Sequence, residues 1–222
     1  MQVWAVQLDG WDDTWWDEGL SLIPEADAAR VLRCANVLAR RQKLIAQILA
    51  RWSLATLTGG TVREIALVRD ARGKLHAPTL PWHFNVSHSG DYVVVATGRE
   101  PLGIDIEKRG PVSDGLLHDA LTAGEYAYVT ACHDEETRNA RFFDVWVRKE
   151  SYFKALGTGL TGPWRSISFV HNRQLCQTYG TYYFYDCALD PGYVTVLCSG
   201  IPSAPLVRSM RLTTWISSLC RG

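Results

Sequence analysis

No run of about 18 consecutive apolar residues occurs in the 222-residue sequence, so no segment is suited to span a membrane as a helix. The opening stretch MQVWAVQLDGWDD has no basic segment leading into an apolar one, and it carries Asp9, Asp12 and Asp13 where a secretion signal would be uncharged. A cytoplasmic protein without a membrane partner is expected. An excess of charge of either sign is also missing: 23 Lys and Arg residues balance 23 Asp and Glu residues. Bulk charge therefore predicts no nucleic-acid partner. The six cysteines (Cys34, Cys132, Cys176, Cys187, Cys198 and Cys220) form no CxxC pair, and no HExxH or other zinc spacing is present. Reduced thiols are expected, and zinc is set aside. Disorder is excluded by a hydrophobic content of 47% against 21% charged residues.

The pattern that remains is α+β and occurs twice. A strand Val3–Leu8, a short helix from Pro24 to about Arg33 and a long helix from Arg40 to about Leu57 are followed by strand-like runs at Ile65–Arg69, His83–Ser87 and Tyr92–Thr97. An Asp70-Ala71-Arg72-Gly73 turn separates the first two of those runs. The same order returns with strand Gly103–Glu107, a short helix near Gly124–Cys132 and a long helix Arg141–Leu156 stopped by Gly157. Strands near Ser166–Val170, Thr181–Asp186 and Tyr193–Ser199 follow. Two similar subdomains are expected, 1–101 and 102–222, each a long helix on a small, mainly antiparallel sheet, with the site at their mutual interface. The tail after Ile201 has no repeat partner.

Several residues could carry chemistry. Asp105 and Glu107 alternate with Ile104 and Ile106, so both carboxylates point to one face of a strand, where two like charges call for a cation. With oxygen ligands only, the hard ion Mg²⁺ is the natural candidate, although an isolated DxE equally suits a solvated acidic face. On the second long helix Trp146, Glu150, Phe153 and Lys154 share one stripe; the alternative is an ordinary exposed Glu150–Lys154 pair. Ser87-His88-Ser89-Gly90 offers hydroxyls, an imidazole and backbone N–H groups to phosphate oxygens, and it equally fits a hairpin turn. From Ala28 to Arg63 the basic residues Arg30, Arg33, Arg40, Arg41, Lys43, Arg51 and Arg63 occur without one acid. Arg41 is placed near the centre of the apolar stripe of its helix, with Arg40 and Arg51 at the edge. Lys74 follows a turn and reads as solvated. Thr122-Ala123-Gly124-Glu125 is a capping box, which by itself explains Glu125.

Taken together, Gly73-Lys74, Phe84-Asn85-Val86-Ser87-His88-Ser89-Gly90, Gly103-Ile104-Asp105-Ile106-Glu107-Lys108 and Trp146-Val147-Arg148-Lys149-Glu150-Ser151 with Lys154 and Gly157-Thr158-Gly159 resemble the Sfp-type 4'-phosphopantetheinyl transferases. The resemblance runs from about Ile23 to the Tyr193–Ser199 strand. It implies a pseudodimer of two similar subdomains acting as a monomer, which moves 4'-phosphopantetheine from coenzyme A to a serine of an acyl or peptidyl carrier protein and releases 3',5'-ADP. Such enzymes activate the carriers of polyketide, peptide and fatty-acid synthases, so a place in secondary-metabolite biosynthesis is expected. The resemblance further implies that Asp105, Glu107 and Glu150 hold Mg²⁺, that Lys154 meets the pyrophosphate, and that Glu150 takes the serine proton. By the same resemblance His88 with Arg41 or Arg40 contacts the 3'-phosphate, and Lys74 and Ser87 line the nucleotide site. Ala26 and Ala29 stand where family members often carry lysines. The competing readings are a non-catalytic coenzyme A- or carrier-binding protein of the same fold and a metal-dependent phosphohydrolase.

Overall fold

The computed structural model describes residues 1–11, 14–71, 73–159 and 164–219. In chain order the first part holds β1 (Gln2–Gln7), α1 (Thr14–Ser21), α2 (Glu25–Leu32), α3 (Val37–Thr58), β2 (Val68–Arg69), β3 (Leu75–His76), β4 (His83–Ser89) and β5 (Tyr92–Gly98). The second holds β6 (Leu102–Lys108), α4 (Asp114–Ala120), α5 (Ala123–Thr130), α6 (Glu135–Leu156), β7 (Val170–His171), β8 (Gln174–Leu175), β9 (Thr178–Tyr179), β10 (Tyr182–Asp186) and β11 (Tyr193–Ser199). The chain ends with β12 (Leu206–Arg211) and α7 (Leu212–Leu219).

Contacts divide the molecule into two units, Met1–Arg99 with Pro205–Gly222 and Glu100–Ala204. The expected division into 1–101 and 102–222 differs in the tail, which belongs to the first unit because β12 pairs in parallel with β1 along its whole length. That pairing joins the two ends of the chain, and nothing in the local pattern of Leu206–Arg211, whose side chains are mostly exposed, announces it.

Each unit is one long helix on one sheet. In the first, the strand order is β12-β1-β5-β4 and α3 packs on β5 and β4. In the second, the order is β6-β11-β10-β9 and α6 packs on β6 and β11. Both helices span 22 residues. Each starts on an Asx cap, Asn36 accepting from the Ala39 amide and Asp134 from the Thr137 amide. Each ends on a left-handed glycine, Gly59 at φ 74° and Gly157 at φ 73°. These caps explain why both helices begin earlier than the apolar stripe suggests: the first turns, exposed Val37 and Leu38 in α3 and the polar Glu135–Thr137 in α6, are held by the cap, not by packing.

Two expected strands shrink. Within Ile65–Arg69 only Val68–Arg69 pair, with the two-residue β3, and the chain before them is a short 3₁₀ turn closed by a Thr61–Glu64 capping box. Within Ser166–Val170 only Val170 joins a strand, because the Ile167 carbonyl and the Phe169 amide are bonded to side chains of α6 and α5. The 70–73 turn is closed by the Gly73 amide on the Asp70 carbonyl; Arg72 lies outside the described residues. Cys34, Cys132, Cys176, Cys187 and Cys198 are free thiols, and Cys220 lies outside the described residues. No described helix is long and apolar enough to cross a membrane.

Candidate active site

The second unit brings the predicted carboxylates together. β6 is the edge strand that lies against α6, and their approach is backbone to backbone: a Cβ on Gly103 would overlap the Ser151 carbonyl oxygen and the Ala155 amide. Only glycine permits that spacing. Two residues further along β6, Asp105 is buried, and Lys154 of α6 reaches it with Nζ 2.6 Å from Oδ1. Glu150, one helical turn before Lys154, is half-buried and its carboxyl is pushed up to about 7. Burial is the main cause; the charge of Asp105 raises it further, Lys154 opposes the rise, and Glu107 adds to it. Asp105, Glu107 and Lys154 thus all act electrostatically on Glu150.

The donor set of that cluster consists of carboxylate oxygens alone, which suits a hard divalent cation. Among the described residues no three His, Cys, Asp or Glu side chains form a ready-made metal centre. The cation set against Asp105 is the Lys154 ammonium, and a divalent ion would relieve the Asp105 and Glu107 repulsion that adds to burial in raising the Glu150 carboxyl.

The residues just before Glu150 anchor the helix. Lys149 is 0% exposed and its ammonium has three acceptors: Glu125 Oε2 at 2.8 Å, the Trp164 carbonyl at 2.8 Å and the Ile167 carbonyl at 2.9 Å. Glu125, also 0% exposed, accepts from the Thr122 amide at 2.9 Å and the Phe169 amide at 3.0 Å. The capping box is present as expected, yet it accounts for only part of what Glu125 does. Arg148 is buried and its guanidinium bonds both carboxylate oxygens of Asp186 at 3.0 Å, at the end of β10. Trp146 stacks on Phe142 and meets Trp164 edge-on.

In the first unit a cavity of about 480 Å³ is lined by Arg30, Lys43, Arg69 and His88, with Asp27 and Gln47 beside them. Four basic side chains against one acid make it receptive to anions. Of the expected nucleotide contacts only His88 is among the lining residues. Ser87 is buried, as strand alternation from exposed His88 requires. Arg40 donates twice to the Cys34 carbonyl, and Arg41 lies over the Trp11 ring at 5.0 Å. The amide of Lys74 donates to Asp70 Oδ1. The inward arginine of α3 is therefore Arg51 rather than Arg41: α2 covers the middle of the helix, and Arg51, 1% exposed, pairs with Asp27 at 2.7 Å. Arg30, Lys43 and Arg69 were not singled out as cavity residues by the sequence, since they come from α2, α3 and a hairpin that only the fold assembles.

Two family profiles match consecutive stretches of the chain. The profile of the 4'-phosphopantetheinyl transferase superfamily matches residues 101–198, and that of the 4'-phosphopantetheinyl transferase N-terminal region matches residues 10–100. The protein is a member of the 4'-phosphopantetheinyl transferase family. It is 35% identical over 149 residues to 4'-phosphopantetheinyl transferase Sfp of Bacillus subtilis (strain 168), an alignment covering 64% of this chain and 66% of that protein, just under two thirds. It is 26% identical over 223 residues to 4'-phosphopantetheinyl transferase psf-1 of Bacillus pumilus, covering 92% of both chains. The human L-aminoadipate-semialdehyde dehydrogenase-phosphopantetheinyl transferase is 36% identical over 120 residues, covering 48% of this chain and 39% of that one.

Proposed function

We propose that the protein transfers 4'-phosphopantetheine from coenzyme A to a serine hydroxyl of an acyl or peptidyl carrier protein, with release of 3',5'-ADP. The observation that carries this reading is the Asp105, Glu107, Glu150 and Lys154 cluster, in which one carboxyl is held near neutrality beside a paired lysine. The names of the relatives support a transferase over a binding-only or phosphohydrolase reading.

Asp105, Glu107 and Glu150 would hold Mg²⁺, which when bound supplies positive charge against the pyrophosphate oxygens. Glu150 accepts the proton of the attacking serine hydroxyl. Lys154 exchanges Asp105 for the pyrophosphate and stabilises the charge that develops on the departing 3',5'-ADP. Asp105, buried against Lys154, keeps that ammonium aimed into the site until substrate enters. In the first unit His88, with Arg30, Lys43 and Arg69, offers the 3'-phosphate a basic cavity. Arg40, Arg41, Lys74 and Ser87 are proposed nucleotide contacts on the family resemblance alone.

The test is intact-mass measurement of a panel of apo-carrier proteins after incubation with the enzyme, coenzyme A and Mg²⁺, with a chelator control. A carrier heavier by one phosphopantetheine group, formed only with the divalent ion, supports both the transfer and its metal dependence. Free phosphopantetheine without modified carrier would instead establish hydrolysis, and no turnover on any carrier would leave a binding protein.

A further inference from the structure

Three consecutive residues of α6 are committed in three directions. Arg148 is tied to Asp186 at the end of β10, Lys149 to Glu125 and the 164–167 carbonyls, and Glu150 points to the Asp105 cluster. On a helix, successive side chains are turned by about 100°, so fixing 148 and 149 fixes the direction of 150. The Lys149 anchor is saturated, since an ammonium has three protons and all three have acceptors within 2.9 Å. Its partner Glu125 is itself held by two backbone amides from different segments. Neither group can turn away without leaving a buried charge unpaired, which is far costlier than the loss of a surface contact.

We infer that Glu125 and Lys149 are a positioning pair for the transfer reaction: with Arg148 and Asp186 they set the rotation of α6 about its axis and so the place of the Glu150 carboxylate and the Lys154 ammonium. This role rests on the reaction proposed above and adds residues that touch neither substrate nor metal. Its chemical content is geometric. Glu150 and Lys154 lie on the helix face beside β6, whereas the Lys149 anchor lies toward α5, so a small rotation of α6 moves the reacting groups while the hydrophobic face of the helix stays covered.

The experiment uses the full chain. The double variant Glu125→Gln with Lys149→Met removes both charges together, so neither is stranded, and Gln keeps an oxygen for the Thr122 amide. Expected is a kcat for carrier loading lower by about 10–100-fold, the scale of a misplacement near 1 Å, with the KM for coenzyme A within twofold of wild type. Asp186→Asn, at an exposed carboxylate, tests the other anchor in a protein that folds: kcat falls by about 3–10-fold, on the same geometric argument, and Asp186→Glu restores it. A split of this kind, kcat down and KM steady, is not what a merely destabilised protein gives when only its folded fraction is assayed. If wild type loads the carrier and both the folded double variant and Asp186→Asn match its kcat within twofold, the positioning role is overturned and the reaction stands. A wild type that loads no carrier overturns both.

Discussion

The two long helices are built alike and used differently. Asp27 and Arg51 in the first unit correspond to Glu125 and Lys149 in the second, as the caps Asn36 and Gly59 correspond to Asp134 and Gly157; each pair of positions differs by 98 in residue number. A buried cation in mid-helix, paired with an acid from the preceding short helix, is thus part of the repeated architecture. The divergence comes one residue later. Trp52 follows Arg51 where Glu150 follows Lys149, and Thr56 stands where Lys154 does. On the facing strand Trp4 lies opposite Val95, the fourth residue of β5, and Asp105 lies opposite Val196, the fourth residue of β11. The first unit therefore places Trp4 edge-on to Trp52, with ring centroids 4.7 Å apart, at the positions where the second unit places its carboxylates. One scaffold holds an aromatic contact in one copy and a charged cluster in the other.

The largest effect expected from breaking this difference is on chemistry. Glu150→Gln keeps the shape of the side chain and removes the proton acceptor, so kcat should fall by about 10²–10⁴-fold, the usual span for a general base. Trp52→Phe at the corresponding position should leave kcat within about threefold and lower thermal stability instead, because an aromatic contact contributes about 0.5–1.5 kcal/mol beyond its burial. Carrier loading followed by mass, beside a melting curve for each variant, checks both. Equal kcat losses in the two would erase the functional distinction between the helices.

The shared ion pairs come next. Lys149→Met strands Glu125 and should destabilise its unit by about 3–5 kcal/mol, the usual cost of leaving a buried charge without its partner, whereas Arg51→Met leaves Asp27 with Arg30 at 3.4 Å and should cost less. Glu125 is sealed from solvent while the Asp27 side chain is 10% exposed, and the second-unit variant should be the worse. Denaturant titration of both resolves the order, and a first-unit variant that proved the less stable would show that the repeat does not share one energetic logic.

A smaller loss is expected where β6 meets α6. Gly103→Ala drives a methyl into the Ser151 carbonyl and the Ala155 amide, which are backbone and cannot rotate aside. Strand and helix must separate, at about 1–3 kcal/mol for an overpacked contact. Asp105 and Glu150 are carried by those two elements, so transfer should weaken with stability; a variant as stable and active as wild type would mean that the close approach is dispensable.

How much of this was readable in advance follows from the range of the interactions. The Asp105–Glu107 alternation and the Glu150–Lys154 spacing are local, and period alone places them. The capping box at Thr122 was legible for the same reason. The Lys149 partner was not, because Glu125 lies 24 positions away by subtraction and already had a local explanation. A helical wheel places Arg51 at the edge of its helix because it carries no trace of α2, which supplies Asp27 and encloses it. Gly103 is locally one more motif glycine, and its reason, the backbone of α6 packed against it, is long-range. The return of β12 to β1 joins opposite ends of the chain and leaves no local trace.

The gentlest test of the comparison is electrostatic and needs no substrate. In the folded protein the Glu150 carboxyl is raised to about 7 by burial and by Asp105, against an ordinary value near 4.5. Between those two values the native state binds more protons than the unfolded chain, so stability falls as pH rises through that window. The stabilising contribution is complete below about 4.5 and gone above about 7, which is the reverse of an ordinary salt-bridged carboxylate. With a chelator present, the wild-type melting temperature should therefore decline from pH 5 to pH 8 by more than that of Glu150→Gln, in which the amide cannot titrate. Trp52, the corresponding residue of the first unit, has no proton to exchange, so Trp52→Phe should retain the full wild-type slope while lowering the whole curve. Parallel slopes for wild type and Glu150→Gln would locate the pH dependence elsewhere and remove the electrostatic contrast between the two helices.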